Sequence, residues 1–146
     1  MNVTRLLVSA CTSLALALAG CAQMGEPAKS ASAAHERVVI QVSDKDPAKW
    51  NLALNNARNV RKDLGDKAEI EIVAYGPGID MLKRDSSVAQ RIDEATMSGM
   101  KVVACENTMH GHKLSRSDMI DGIGYVRAGV VEIMRRQQQG WSYVRP

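Results

Sequence analysis

Short β-branched runs recur from residue 38 onward, and most are separated from the next by a stretch of helical spacing. Val38-Val39-Ile40-Gln41-Val42 is the first. Pro47 then suits a first helical turn, with Asp44 or Asp46 as its cap. Trp50, Ala53, Leu54, Ala57, Val60 and Leu64 recur on one helical face, and Gly65 offers a stop. Ala68 to Tyr75 reads as a second strand, ended by Gly76-Pro77-Gly78, with a short turn of helix carrying Met81 and Leu82. Ser86 is placed to cap a helix that sets Val88, Ile92 and Ala95 on one face and ends at Gly99. A third strand runs from Met100 to Cys105. The segment from Glu106 to Gly124 is polar and poorly periodic, apart from the cap-like Ser115-Arg116-Ser117-Asp118. Tyr125-Val126 reads as a brief strand, Val130, Val131 and Met134 mark a helix ending near Gly140, and Trp141 to Val144 is a terminal strand. Strands joined through single helices run parallel with right-handed crossovers. The predicted architecture is therefore α/β: a three-layer α/β/α sandwich around a mostly parallel sheet of about five strands.

The residues ahead of these strands have a different character. Met1 to Gly20 combine one cation, Arg5, with the apolar stretch Leu6–Ala19 and then small residues, the pattern of a secretion signal. The stretch is shorter than the roughly 18 apolar residues that span a bilayer. Leu18-Ala19-Gly20-Cys21 resembles the bacterial lipobox, which makes Cys21 the expected lipid attachment point and first mature residue; the alternative is ordinary cleavage nearby. Ala22 follows where enterobacterial lipoproteins retained at the inner membrane carry Asp, so a periplasm-facing, outer-membrane address is expected. Residues 21–36 are rich in Ala, Ser, Gly, Pro, Lys and Glu without apolar period and read as a tether. Residues 37–146 suit a single domain.

Loss of Arg5 leaves one cation fewer than the 19 Lys and Arg of the whole chain, against 16 Asp and Glu, so the mature charge is only slightly positive. Phe is absent and the aromatics do not interleave with basic residues, so no nucleic-acid partner is expected. No Ser-His-Asp order, acidic pair or P-loop is legible. Gly122-x-Gly124 with Gly129 lacks the preceding strand and spacing of a dinucleotide fingerprint, so no cofactor is expected. Arg58, Arg61 and Lys62 on the first helix read as a solvated face.

Of three cysteines, Cys11 lies in the signal and Cys21 in the lipobox, so Cys105 has no partner for a disulfide within the domain. It closes a buried-type strand, and the helix-start residues Asn107 and Thr108 follow at once. A thiol at the carboxyl end of a strand, facing a helix start, occupies the usual ligand edge of α/β folds. Unpaired N–H groups there favour the nucleophilic thiolate. The competing reading is a small buried hydrophobe. A further alternative joins Cys105 to His110 and His112 as soft-to-borderline donors for copper or zinc, without a CxxC partner or carboxylate motif. Met81, Met97, Met109, Met119 and Met134 are dispersed and are better explained by core packing than by copper binding.

Four segments carry a resemblance. Ile70-Glu71-Ile72-Val73-Ala74-Tyr75-Gly76-Pro77-Gly78 looks like a second strand with a Gly-rich exit, and Val102-Val103-Ala104-Cys105-Glu106-Asn107-Thr108-Met109 like a cysteine-bearing strand and loop. Ala128-Gly129-Val130-Val131-Glu132-Ile133 looks like the start of a last helix, and the residues from Gln137 to Pro146 like a closing helix-to-strand turn. Together these make residues 37–146 resemble the DsrE/DsrF-like proteins. The resemblance implies a sulfur-handling α/β domain that assembles as a homo-oligomer. It also implies a persulfide on Cys105 exchanged with a thiol or persulfide partner protein, with Asn107 and Thr108 as the nearest donors.

Overall fold

The computed structural model describes residues 36–146. The expected signal, Cys21 and all of the tether except Glu36 lie outside the described residues. Five strands form one sheet: β1 (Arg37–Val42), β2 (Glu69–Ala74), β3 (Lys101–Cys105), β4 (Gly124–Val126) and β5 (Ser142–Val144). Their spatial order is β4-β3-β2-β1-β5, and every neighbouring pair is parallel. Four α-helices accompany them: α1 (Pro47–Leu64), α2 (Ala89–Met97), α3 (Glu106–Gly111) and α4 (Gly129–Gln138).

Side-chain alternation along the strands divides the interior into two layers. Ile40, Ile72, Ala74, Val102 and Ala104 face Trp50, Ala53 and Leu54 of α1 and Ile92 of α2 in the larger core. Val39, Val73 and Val103 face Ile133 of α4 and Trp141 in the smaller one. Helices thus cover both faces, which is why β1, β2 and β3 are near-continuous apolar runs. Each fully buried Ile or Leu contributes about 1.5–3 kcal/mol.

Local chemistry sets the helix ends. Asp46 is the cap of α1, its Oδ1 accepting from the Ala48 N–H at 2.9 Å, and Pro47 follows. Gly65 adopts φ 68° and donates its N–H to the Arg61 carbonyl. The exit from β2 is the tightest point. Gly76 has φ 53°, and a Cβ on Gly78 would land on the Val42 carbonyl. Only glycine lets this loop lie across the end of β1, where the Tyr75 N–H donates to Val42 O at 3.1 Å.

The helix start expected at Asn107 and Thr108 is present: α3 begins directly after Cys105 and anchors through buried Met109. Elsewhere the structure departs from the sequence expectations in detail. The helix after Ser86 starts at Ala89, because Ser86 accepts from the Val88 N–H in a preliminary turn. Helix α4 is present, but Val130, Val131 and Met134 lie on its exposed side, while Gly129 and Ile133 face the sheet. Met81, Met109 and Met119 are core residues, whereas Met97 and Met134 are exposed.

Candidate functional site

Cys105 is the last residue of β3, on the same side of the sheet as Lys101 and Val103, so its side chain points toward α4. Its backbone is extended and α3 starts at the next residue. Three segments meet at Sγ. The first turn of α3 brings the Asn107 and Thr108 N–H groups and the Thr108 hydroxyl, and α4 brings the Gly129 N–H. The chain leading into α4 brings the Arg127 carbonyl, 3.9 Å from Sγ. That carbonyl also accepts from the Asn107 N–H at 3.1 Å, tying α3 to the entry of α4.

Burial pushes the Cys105 thiol up, but the donors outweigh it. The Thr108 hydroxyl pulls hardest, followed by the Gly129, Thr108 and Asn107 N–H groups, and the thiol falls below its ordinary value. The Thr108 hydroxyl is itself placed, since its oxygen accepts from the Gly76 N–H at 3.0 Å. The Gly-rich exit of β2 therefore orients the donor that acts on the sulfur.

Gly129 belongs to this site although its sequence context gave it no chemical role. A Cβ there would stand 3.0 Å from Tyr75 Cβ and 3.2 Å from Val73 Cγ1, so a side chain would push the first turn of α4 off β2. The signal available in the sequence was a glycine opening a helix that already had an apolar stripe. Asn107 contributes through its backbone, and its side chain is exposed. Cys105 itself is only 5% exposed. Beside it, Val126, Arg127, Ala128, Val131, Glu132 and Arg135 line a hollow of about 380 Å³ at the start of α4.

The histidines do not join this arrangement. His110 and His112 are exposed at the far end of α3, and among the described residues no three His, Cys, Asp or Glu side chains are grouped to hold a metal ion. The chemistry available is that of a nearly covered thiol whose ionised form is favoured by its surroundings: nucleophilic attack on a small electrophile such as a sulfane sulfur.

Known proteins place this geometry in context. The chain matches the DsrE/DsrF-like family over residues 36–146. Among solved structures it is similar to MTH1491 from Methanobacterium thermoautotrophicum, a protein of unknown function, at 37% identity and TM-score 0.73, covering 76% of this chain and 99% of that one. It is also similar to BT1422 from Bacteroides thetaiotaomicron, a conserved protein of unknown function (18% identity, TM-score 0.64, 80% and 99% covered). The ychN protein of E. coli shares the fold at 15% identity and TM-score 0.61, with 76% and 99% covered. No curated protein matches the chain. A family match across the whole described domain, joined to the parallel five-stranded sheet, fixes the assignment: this chain belongs to the DsrE/DsrF-like family.

Proposed function

We propose that this protein is a lipid-anchored, periplasm-facing carrier of sulfane sulfur, with Cys105 as the atom-accepting thiol. The observation that carries the reading is the seat of Cys105, buried at the β3–α3 junction with Sγ 3.9 Å from the Arg127 carbonyl; the Thr108 hydroxyl and the Gly129, Thr108 and Asn107 N–H groups nearby lower the thiol from its ordinary value. In the loading step the Cys105 thiolate attacks the outer sulfur of a donor persulfide, R–S–SH. A new S–S bond forms on Cys105, the donor S–S bond breaks, and its electron pair leaves with R–S⁻. The proton stays on the transferred sulfur. In the unloading step an acceptor thiolate attacks that outer sulfur and Cys105 departs again as thiolate, held by the same donors. No external oxidant or reductant is required. The small exposure of Cys105 favours compact donors over bulky disulfides. The same proposal includes anchoring through Cys21 and self-association, for which Val130, Val131 and Met134 supply an exposed apolar face on α4.

The test is exposure of the full chain to a polysulfide donor, followed by intact-mass measurement. The expected result is a mass gain of one sulfur atom, reversed by a thiol acceptor and absent in Cys105→Ser. No gain in the folded wild type, or an equal gain in Cys105→Ser, would overturn the reading.

A further inference from the structure

On the opposite side of the sheet from Cys105, α1 and α2 leave a pocket of about 200 Å³ between them. Its floor is apolar and buried: Leu54, Ala95 and Met100. Three guanidiniums surround that floor, from Arg58 and Arg61 on α1 and Arg91 on α2. Leu54, Arg58 and Arg61 are spaced i, i+4, i+7, and Arg91, Ala95 and Ser98 repeat that spacing, so each helix turns one stripe toward the same hollow. The sequence expectation of a plain solvated face holds for Arg58 and Lys62, which are exposed. It fails for Arg61, whose side chain is only 17% exposed.

The electrostatics of this pocket are unbalanced. Arg91 donates to the side-chain oxygens of Asn51 and Asn55, the latter at 2.8 Å, and Arg58 donates to the same Asn55 oxygen at 3.3 Å. Two like charges therefore converge on one neutral amide. An amide orients a guanidinium without cancelling its charge. Arg61 spends one nitrogen on the Gly65 carbonyl at 3.1 Å and touches Asp66 at 3.9 Å, but that aspartate is fully exposed and its charge is screened. Arg61 Nε is buried without a hydrogen-bond partner among the described residues. Glu94 is the one acid on the rim, exposed and hydrogen-bonded to Gln90. Among the described residues, neither Arg58 nor Arg91 meets a carboxylate at ion-pair distance.

Guanidiniums pinned by amides, with donors left over, above an apolar floor, match a ligand with an anionic head and a short apolar body. We propose that the α1–α2 pocket binds a small amphiphilic organic anion, a carboxylate, phosphate monoester or sulfonate, with Arg58, Arg61 and Arg91 on its head and Leu54, Ala95 and Met100 under its tail. This site is independent of the thiol chemistry at Cys105.

Hexyl phosphate is the probe, titrated into the full chain while the arginine side-chain N–H signals are followed by NMR and the heat by calorimetry. The expected result is saturable one-site binding that shifts those signals, with inorganic phosphate and hexanol each much weaker. Arg58→Gln or Arg91→Gln should weaken hexyl phosphate by roughly tenfold or more, the loss of a hydrogen bond to a charged group. Glu94→Gln should tighten it, and because the two changes act in opposite directions a general loss of fold cannot imitate both. Displacement of the probe by vesicles containing phosphatidic acid, and not by phosphatidylcholine alone, would assign the site to a lipid headgroup; retention assigns it to a soluble anion. Absence of saturable binding, or equal binding by wild type and both arginine variants, would overturn the proposal.

Discussion

Sγ of Cys105 is pulled in two directions, and Thr108 decides the outcome. Desolvation disfavours the thiolate, while one hydroxyl and three N–H donors favour it, the hydroxyl most strongly. Thr108→Val keeps the shape and deletes the donor. The thiol should then titrate higher, so the pH midpoint of its alkylation rate should move upward while the fold persists. The same change strands the Gly76 N–H, costing about 1 kcal/mol of stability. The linkage sign follows from the depressed thiol. Its contribution to stability is fully present above the unfolded value of ~8.5 and is lost as pH falls through the folded value. Thr108→Val should therefore flatten the stability gained on raising pH through that window. An unchanged alkylation midpoint in the variant would remove Thr108 from the site.

Gly129 couples one helix to that sulfur. The first turn of α4 lies close enough to Tyr75 and Val73 that even a methyl group intrudes. Gly129→Ala should shift α4 outward, withdraw its N–H from Cys105 and slow alkylation near neutral pH, with a loss of about 1–3 kcal/mol from overpacking. Thermal unfolding and the alkylation profile report the two effects separately.

The same helix rests on a buried carboxyl group. Glu71, fully buried on β2, lies 2.7 Å from Arg136 Nε, which also approaches Glu132 at 2.9 Å, and the Arg136 Cζ stands 4.7 Å from the Trp141 ring centre. The guanidinium is near in distance, yet neither Glu71 oxygen has a hydrogen-bond partner of good geometry among the described residues. Burial accordingly pushes the Glu71 carboxyl up against the pull of Arg136. The folded protein then holds this proton to higher pH than the unfolded chain, whose carboxyl titrates near ~4.3. Stability from this group falls as pH rises from ~4.3 through the folded value. Glu71→Gln should abolish that fall. Asp44, Asp80 and Asp118 are shifted the other way by their partners, so their losses on acidification lie at lower pH and are separable in an unfolding series.

Strands were legible because burial on both faces writes long apolar runs, and α1 because its 18 residues show a full stripe. The burial of α4 was not. Its sheet-facing residues are Gly129 and Ile133, and the apolar Val130, Val131 and Met134 that advertise the helix point outward. Cys105 and Thr108 could be nominated from the strand-to-helix junction. The Gly129 N–H could not, since it arrives from a helix 24 positions along the chain, through packing that no local pattern encodes.

For the molecule as a whole, what matters is where such a domain is held. Among the described residues no helix is long and apolar enough to cross a membrane, and the anchor we propose lies outside them. The lipobox-like Leu18-Ala19-Gly20-Cys21 supplies a specific candidate. Two acyl chains, each worth ~0.8 kcal/mol per buried CH₂, already anchor stably, and bacterial lipobox cysteines carry more than one. Expressed as the full chain in a Gram-negative host, wild type should fractionate with the outer membrane and appear at the mature mass plus lipid. Cys21→Ser should be released to the soluble periplasm or accumulate as uncleaved precursor, while its Cys105 alkylation profile stays that of wild type, because the substitution lies ahead of the domain. Membrane retention and processing identical to wild type would rule out the lipid anchor and leave the fold and the thiol site standing on their own evidence.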